Sequence, residues 1–252
     1  MKAGRILWLV IIGVTVSGLA GYLAKHSTVS SNVNGRELPV CSVETDEPEV
    51  ALTFDVAWNA GDMDEILDVL EKEEAKAAFF VTGEWAEKHP DMLKRIAASG
   101  HDIGNHSMDH RNMTQMSYEE KRKEILDTHE IVKRITGVEM KLFRTPYGSY
   151  DDEVIRTAGE LGYYTIEWNI DTMDWKDYGK KNILETVLGH ENLGNGSIIR
   201  AHAGTEYMAE ALKPLIEGVR GKGLNLVPVS ELIYRQDYHM DVTGRQIPDE
   251  KK

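Results

Sequence analysis

A parallel α/β barrel is the fold class this sequence predicts, and three observations carry it. From Glu49 onward, short apolar runs alternate with longer amphipathic ones. The alternation recurs roughly every 25 to 30 residues, enough for a strand, a turn and a covering helix. About seven such units within one domain favour a barrel over an open sheet.

Taken in order, the strands are predicted at 50–54, 77–81, 102–104, 141–143, 163–168, 197–200 and 224–227. Helices with readable ends lie between them. His89, Pro90 and Asp91 open one that stops at Gly100. Ser117 and Glu120 form a capping box for a second that ends near Gly137. Asp151 or Asp152 opens a third that ends at Gly162.

Ahead of the barrel the sequence is different in kind. Residues 6–24, ILWLVIIGVTVSGLAGYLA, carry no charge and are flanked by Arg5 and Lys25. As a helix this run is about 28 Å long, close to the hydrocarbon thickness of a bilayer. Residues 1–25 therefore read as a signal anchor or a signal peptide, the anchor favoured because the run exceeds a usual signal core. Lys2 and Arg5 place the remainder outside the membrane, single-pass and extracellular if the segment is kept, secreted if it is cleaved. Residues 26–48 read as a linker, 49–240 as the barrel and 241–252 as a polar tail. Composition narrows the function. The chain of 252 residues has a formal charge of −13 and no basic block, which argues against nucleic acid. The single cysteine, Cys41, excludes an internal disulfide and a Cys-built zinc site.

In a parallel barrel, chemistry gathers at the C-terminal ends of the strands. Asp55 follows the first predicted strand, His106 and His110 the third, and Arg144 the fourth. Asp171, Asp174 and Trp175 follow the fifth, and His202 the sixth. The spacing of His106 and His110 lets two imidazoles meet one cation. Asp55 is placed to act as base toward water acidified by that cation, and His202 to protonate a leaving amine or alkoxide. Asp171 and Asp174 are available to orient the His202 imidazole, and Arg144 to brace the Asp55 carboxylate. Together these groups suit hydrolysis of an amide or ester. Trp58, Tyr147, Tyr150 and Trp175 near the same rim suit stacking on sugar rings or ordinary packing.

Five ordered motifs now stand out: Thr53-Phe54-Asp55; His106-Ser107 through His110; Arg144-Thr145-Pro146-Tyr147-Gly148; Asp171 through Asp174-Trp175; and the segment from Ile199 to His202. In this order they resemble the motifs of polysaccharide deacetylases of the NodB-homology type, carbohydrate esterase family 4. The likeness runs from about Val50 to Ile233, and is to membrane-anchored or secreted members of spore-forming Gram-positive bacteria in particular. It implies an irregular (β/α)7 barrel and metal-dependent removal of N-acetyl, sometimes O-acetyl, groups from peptidoglycan or chitin-like polymers. It implies Asp55 as general base and His202 as general acid tuned by Asp174. Arg144 would hold the base, and His106 and His110 a divalent cation, zinc first, with cobalt or manganese as alternatives. The Tyr147 N–H would bind the oxyanion, and Pro146 and Trp175 would line the substrate groove. The expected partners are cell-wall polysaccharide and, through the N-terminal helix, the membrane.

Two positions depart from that pattern. Val56 stands where the family has a third, carboxylate ligand, so the cation site would rest on the two histidines plus water, Asp55, or another carboxylate such as Asp62 or Asp64. Arg200 stands where an apolar residue lines the acyl pocket, and would either pair with an acid and turn away or change which acyl group fits. These departures open two alternatives to the deacetylase reading: a weak or inactive glycan-binding member, and a hydrolase of another amide or ester.

Overall fold

The computed structural model describes residues 32–58 and 61–249. The apolar run at 6–24 lies outside them. Among the described residues no helix is long and apolar enough to cross a membrane.

A β-ribbon of β1 (Asn32–Val33) and β2 (Arg36–Glu37) leads into β3 (Ser42–Val43) and then into the first barrel strand, β4 (Glu49–Val56). The barrel continues through α1 (Met63–Lys72), β5 (Ala78–Val81), α2 (Gly83–Lys88), α3 (Pro90–Ala98), β6 (Asp102–Asn105), α4 (Tyr118–Thr136) and β7 (Leu142–Phe143). Next come α5 (Asp152–Glu160), β8 (Tyr164–Thr165), β9 (Ile170–Asp171), α6 (Lys180–Leu188), β10 (Ile198–His202), α7 (Met208–Gly221) and β11 (Asn225–Leu226). The described chain closes with α8 (Val229–Leu232), β12 (Tyr238–Met240) and β13 (Arg245–Pro248).

The main sheet is a curled parallel half-barrel in the order β8-β7-β6-β5-β4-β10-β9, with β11 paired to the start of β4. This is the α/β fold expected, an irregular (β/α)7 barrel. The helix ends follow their residues. Ser117 and Glu120 complete the capping box of α4, and Gly137 ends that helix at φ 78°, where the left-handed backbone suits glycine. Asp151 caps α5 by accepting from the Val154 N–H. Pro90 sits in the first turn of α3, where its missing N–H costs nothing.

Strand alternation divides the core and positions the site. Val50, Leu52, Phe54 and Val56 of β4 face the layer between sheet and helices. Ala51 joins Ala78, Phe80, Ile166 and Ile198 on the inner side, the face that Thr53 and Asp55 share. On β10, Ile199 and Ala201 face the helices, while Arg200 and His202 register with Thr53 and Asp55.

The structure differs from the sequence reading at both ends of the barrel. Within the supposed linker, Val40 and Val43 are buried, and Val40 bonds to Thr165 and Glu167 while Val43 bonds to Gly196. This segment closes the seam beside edge strand β8. Gly196 is required there, because at its φ of 78° a Cβ would lie 1.8 Å from the Val43 carbonyl oxygen. Within the supposed tail, β13 pairs with β12 and β3, so the barrel unit extends to both sides of 49–240. Within the predicted strand at 163–168 only β8 is extended, and a further short strand, β9, follows after residues 166–169 cross between them.

Candidate active site

Asp55 ends the inner face of β4, and Arg144 beyond β7 reaches it from the side. Arg144 is fully buried and donates to the Asp55 Oδ1 at 2.8 Å, to the Thr53 hydroxyl at 2.8 Å, and to the Ile166 and Glu167 carbonyls at 3.0 and 3.1 Å. Its guanidinium lies over the Phe80 ring. Such a clamp fixes both charge and orientation. Burial raises the Asp55 carboxyl, but the Arg144 charge, then those of His106 and His202, outweigh it and hold the group well below the usual carboxylate range.

His202, opposite Asp55 in the β10–β4 register, is held by Asp174 at two points. Its Nδ1–H donates to the Asp174 Oδ1 at 2.8 Å, and its backbone N–H to the Oδ2 at 2.7 Å. The bond to Asp174 sets the tautomer, leaving Nε2 to face the Asp55 Oδ2 at 3.9 Å. That separation exceeds a hydrogen bond and leaves both groups free toward a reactant. Burial lowers the His202 imidazole, but the Asp174 hydrogen bond and the Asp55 and Asp174 charges raise it above its ordinary value.

His106 and His110 come from the loop after β6. The His106 Nδ1–H donates to the Arg144 carbonyl at 2.9 Å, since a carbonyl only accepts. Its Nε2 is then a bare lone pair, buried and without a hydrogen-bond partner among the described residues. The Nδ1 of His110 is also buried without one. The two rings lie edge to face with centroids 4.8 Å apart. Burial lowers both imidazoles, His110 to about 3, so both are neutral donors at working pH. Two neutral, orphaned imidazoles side by side fit a divalent cation, and these are the residues that would hold one.

The third ligand is another matter. Among the described residues no three His, Cys, Asp or Glu side chains gather as a cation site. Asp64 is on the outer surface, paired with Arg95 of α3. The Asp62 Oδ1 accepts from the Gly204 N–H at 2.6 Å, tying the start of α1 to the loop after β10. Val56 is buried in the sheet–helix layer, on the face of β4 opposite to Asp55.

The loops carry the aromatics expected of them. Trp58, Tyr147 and Trp175 line a cavity of about 470 Å³ together with Asp55, His110 and His202. Trp58 and Tyr147 both meet the His110 ring edge to face, with centroids 4.5 Å away. Tyr150 and Pro146 do not line this cavity, and Pro146 is buried in the turn that carries Tyr147. Ser107, His110, Tyr147 and Met173 all have positive φ, between 56° and 65°. Strained backbone in several rim loops is characteristic of built sites. Gly148 (φ 65°) follows Tyr147, and a Cβ there would come within 2.8 Å of the Trp168 ring.

Asp171 was grouped with Asp174 as a possible brace for His202. It pairs instead with Arg200. Sequence reasoning also missed three supporting groups. Asn105 accepts from the Ser107 N–H, and Glu124 of α4 accepts from the Met108 N–H, shaping the histidine loop. Glu167 accepts from the N–H and hydroxyl of Thr145, at 3.2 and 2.5 Å, while its Oε2 is buried without a partner. Its position just past a short strand was the available signal, hidden by the longer strand predicted over it.

The fold and site define a class: a barrel whose rim joins a buried carboxylate, a carboxylate-held histidine and a pair of neutral histidines. The model of the polysaccharide deacetylase family matches residues 42–166. The chain is 37% identical over 188 residues to a peptidoglycan-N-acetylglucosamine deacetylase of Bacillus cereus, covering 73% of this chain and 68% of that one. It is 35% identical over 191 residues to the peptidoglycan-N-acetylmuramic acid deacetylase PdaC of Bacillus subtilis, covering 76% of this chain but 40% of the relative. A solved pseudoenzyme of carbohydrate esterase family 4 from Bacillus anthracis superposes with a TM-score of 0.74 at 29% identity, covering 83% of this chain and 72% of that one. The chain belongs to the polysaccharide deacetylase family, carbohydrate esterase family 4.

Proposed function

We propose that this chain is a hydrolase that removes N-acyl groups, N-acetyl in the first place, from a peptidoglycan-type cell-wall polysaccharide. Named relatives act on such polymers. The observation that carries the reading is the facing of two finished pairs, Arg144–Asp55 and Asp174–His202, across 3.9 Å. A divalent cation bound by His106 and His110 would supply Lewis acidity to the acyl carbonyl and acidify water.

The chain's own residues account for the remaining steps. Asp55, kept ionised by Arg144, takes the proton of the attacking water. His202, kept protonated by Asp174, gives its Nε2 proton to the leaving amine. The Tyr147 N–H, aimed by a left-handed backbone, serves the developing oxyanion. Trp58 and Trp175, about 71% and 50% exposed, flank the cavity as platforms for sugar rings. We place the domain outside the cell, on the membrane through residues 1–25 or free after their removal.

The test is cation stoichiometry with zinc, cobalt and manganese, measured alongside acetate release from peptidoglycan and from chitin oligomers. Bound cation with acetate released is expected. No cation and no acetate between pH 5 and 9 overturns the reading. One observation favours a second: Val56 faces the core and, among the described residues, no carboxylate joins the histidines as a third ligand, as befits a weak or inactive glycan-binding member. Glycan binding without acetate release is its signature.

A further inference from the structure

Arg200 lies one inward-facing position below His202 on β10, in register with Thr53 on one side and Asp171 on the other. It lines the same cavity as Asp55 and His202. Its charge is met by Asp171, and its guanidinium lies over Trp168 with Cζ 3.5 Å from the ring centroid. The side chain has therefore not turned away from the site. Among the described residues the Arg200 Nε–H is buried and has no hydrogen-bond partner. A buried donor left empty costs about 1–3 kcal/mol, and a ligand acceptor recovers that cost.

We propose that Arg200 is a specificity-determining residue whose Nε–H binds an oxygen on the acyl group, so that the site prefers a 2-hydroxyacyl amide of the glycolyl type over acetyl. The inference rests on the amide-hydrolase reading above and names its acyl group. An acetyl methyl placed against Arg200 leaves the Nε–H unfilled, whereas a hydroxyl oxygen fills it. A site built to bond a hydroxyl strongly rejects the analogue that lacks one. A neutral acceptor fits better than an acyl carboxylate. Arg200 is already paired with Asp171 and Arg144 with Asp55, so an added anion would meet those carboxylates with no unpaired guanidinium to balance it.

The reaction balances as a hydrolysis. The water oxygen bonds to the acyl carbon and the C–N bond breaks. One water proton passes to Asp55 and the His202 Nε2 proton to the nitrogen, giving glycolate and a sugar amine.

The test uses chitin-type oligosaccharides N-acylated with either glycolyl or acetyl groups, and compares kcat/KM for release of each acid. The wild type is expected to favour the glycolyl oligomer at least about tenfold. Arg200→Lys keeps a cation for Asp171 but has no N–H at the Nε position, and Arg200→Leu removes both. Each is expected to lose or reverse the preference, with circular dichroism showing that the variant is folded. Equal or greater kcat/KM for acetyl in the wild type overturns the proposal, whatever the variants do. If neither acid is released, the hydrolase reading fails by itself. The acyl preference is then read from calorimetric binding of the same two oligomers to the wild type: about tenfold tighter binding of the glycolyl form supports the proposal, and equal binding overturns it.

Discussion

Asp55 and His202 sit on neighbouring strands and each is held by a charged partner from elsewhere in the chain, Arg144 and Asp174. His106 and His110 sit on a loop two strands from Asp55, shaped as carefully, yet with buried ring nitrogens that nothing among the described residues satisfies. The acid–base half is completed by its own ion pairs, and the histidine half has no completing partner among the described residues. The contrast explains the divided signals in the sequence. Val56 bears only on the histidine half, while the residues proposed to move protons are intact. The two halves should therefore fail separately. Asp55→Asn is expected to lower kcat about 10²- to 10⁴-fold and leave cation binding in place. His106→Ala is expected to abolish cation binding, measured by stoichiometry. Unchanged turnover in Asp55→Asn would remove it as base.

A second test changes the residue that makes the histidine half incomplete. Val56 is fully buried in the apolar layer that also holds Phe54, Met63 and Val81. Val56→Asp places a carboxylate there without a partner, at a cost of about 3 kcal/mol or more in the cation-free protein. Chemical denaturation reads this directly. Zinc is expected to recover part of the loss, because stabilisation by a bound cation requires the carboxylate to swing toward the histidines. Loss with no recovery would show that the strand end cannot supply a third ligand.

How far the sequence foretold these features follows from the range of the interactions. Asp55, Arg144 and His202 were legible because each stands at the end of a short apolar strand, and Asp174 because it lies in the loop after one; a parallel barrel brings such positions to one rim. The capped helices α4 and α5 were legible because caps are local. The seam was not. β3 and β13 are short strands that pair with each other from opposite ends of the chain, and two to four residues carry no periodicity. The Asp171–Arg200 pair was missed for a similar reason: from sequence, two acids near one histidine look equivalent, and only the β9–β10 register gives Asp171 to Arg200.

Glu167 extends the comparison below the rim, since it braces the Arg144–Thr145 segment on which the acid–base half depends. Burial pushes its carboxyl from 4.5 up to about 7, against the Arg144 charge and the Thr145 hydrogen bonds. A carboxyl raised on folding contributes stability that is complete below its unfolded pKa and is lost as pH climbs through the folded one. Between pH 4.5 and 7 that loss is roughly 3 kcal/mol at most. Glu167→Gln retains an acceptor for Thr145 and cannot ionise. Its stability should therefore fall less than the wild type's over that interval, and parallel denaturation series at pH 5 and 7.5 measure the difference. Identical pH slopes would show that Glu167 does not titrate there.

Asp174→Asn gives the smallest expected change and the sharpest resolution of the acid–base half. Burial depresses the His202 imidazole, and what lifts it above 6.5 is first the Asp174 hydrogen bond and then the charges of Asp55 and Asp174. As general acid His202 must be protonated, so activity is lost as pH rises through its folded pKa. Asparagine removes the charge and keeps the volume. The His202 pKa then falls, and the alkaline limb of the kcat–pH profile moves to lower pH. A positioned general acid is worth about 10²- to 10⁴-fold in rate, and losing its supporting carboxylate forfeits part of that. The loss should be greatest on the alkaline side and shrink toward acid pH, where His202 is protonated in both proteins. A uniform loss at every pH would assign Asp174 to orientation alone, and an unmoved alkaline limb would mean that the proton reaching the amine comes from a group other than His202.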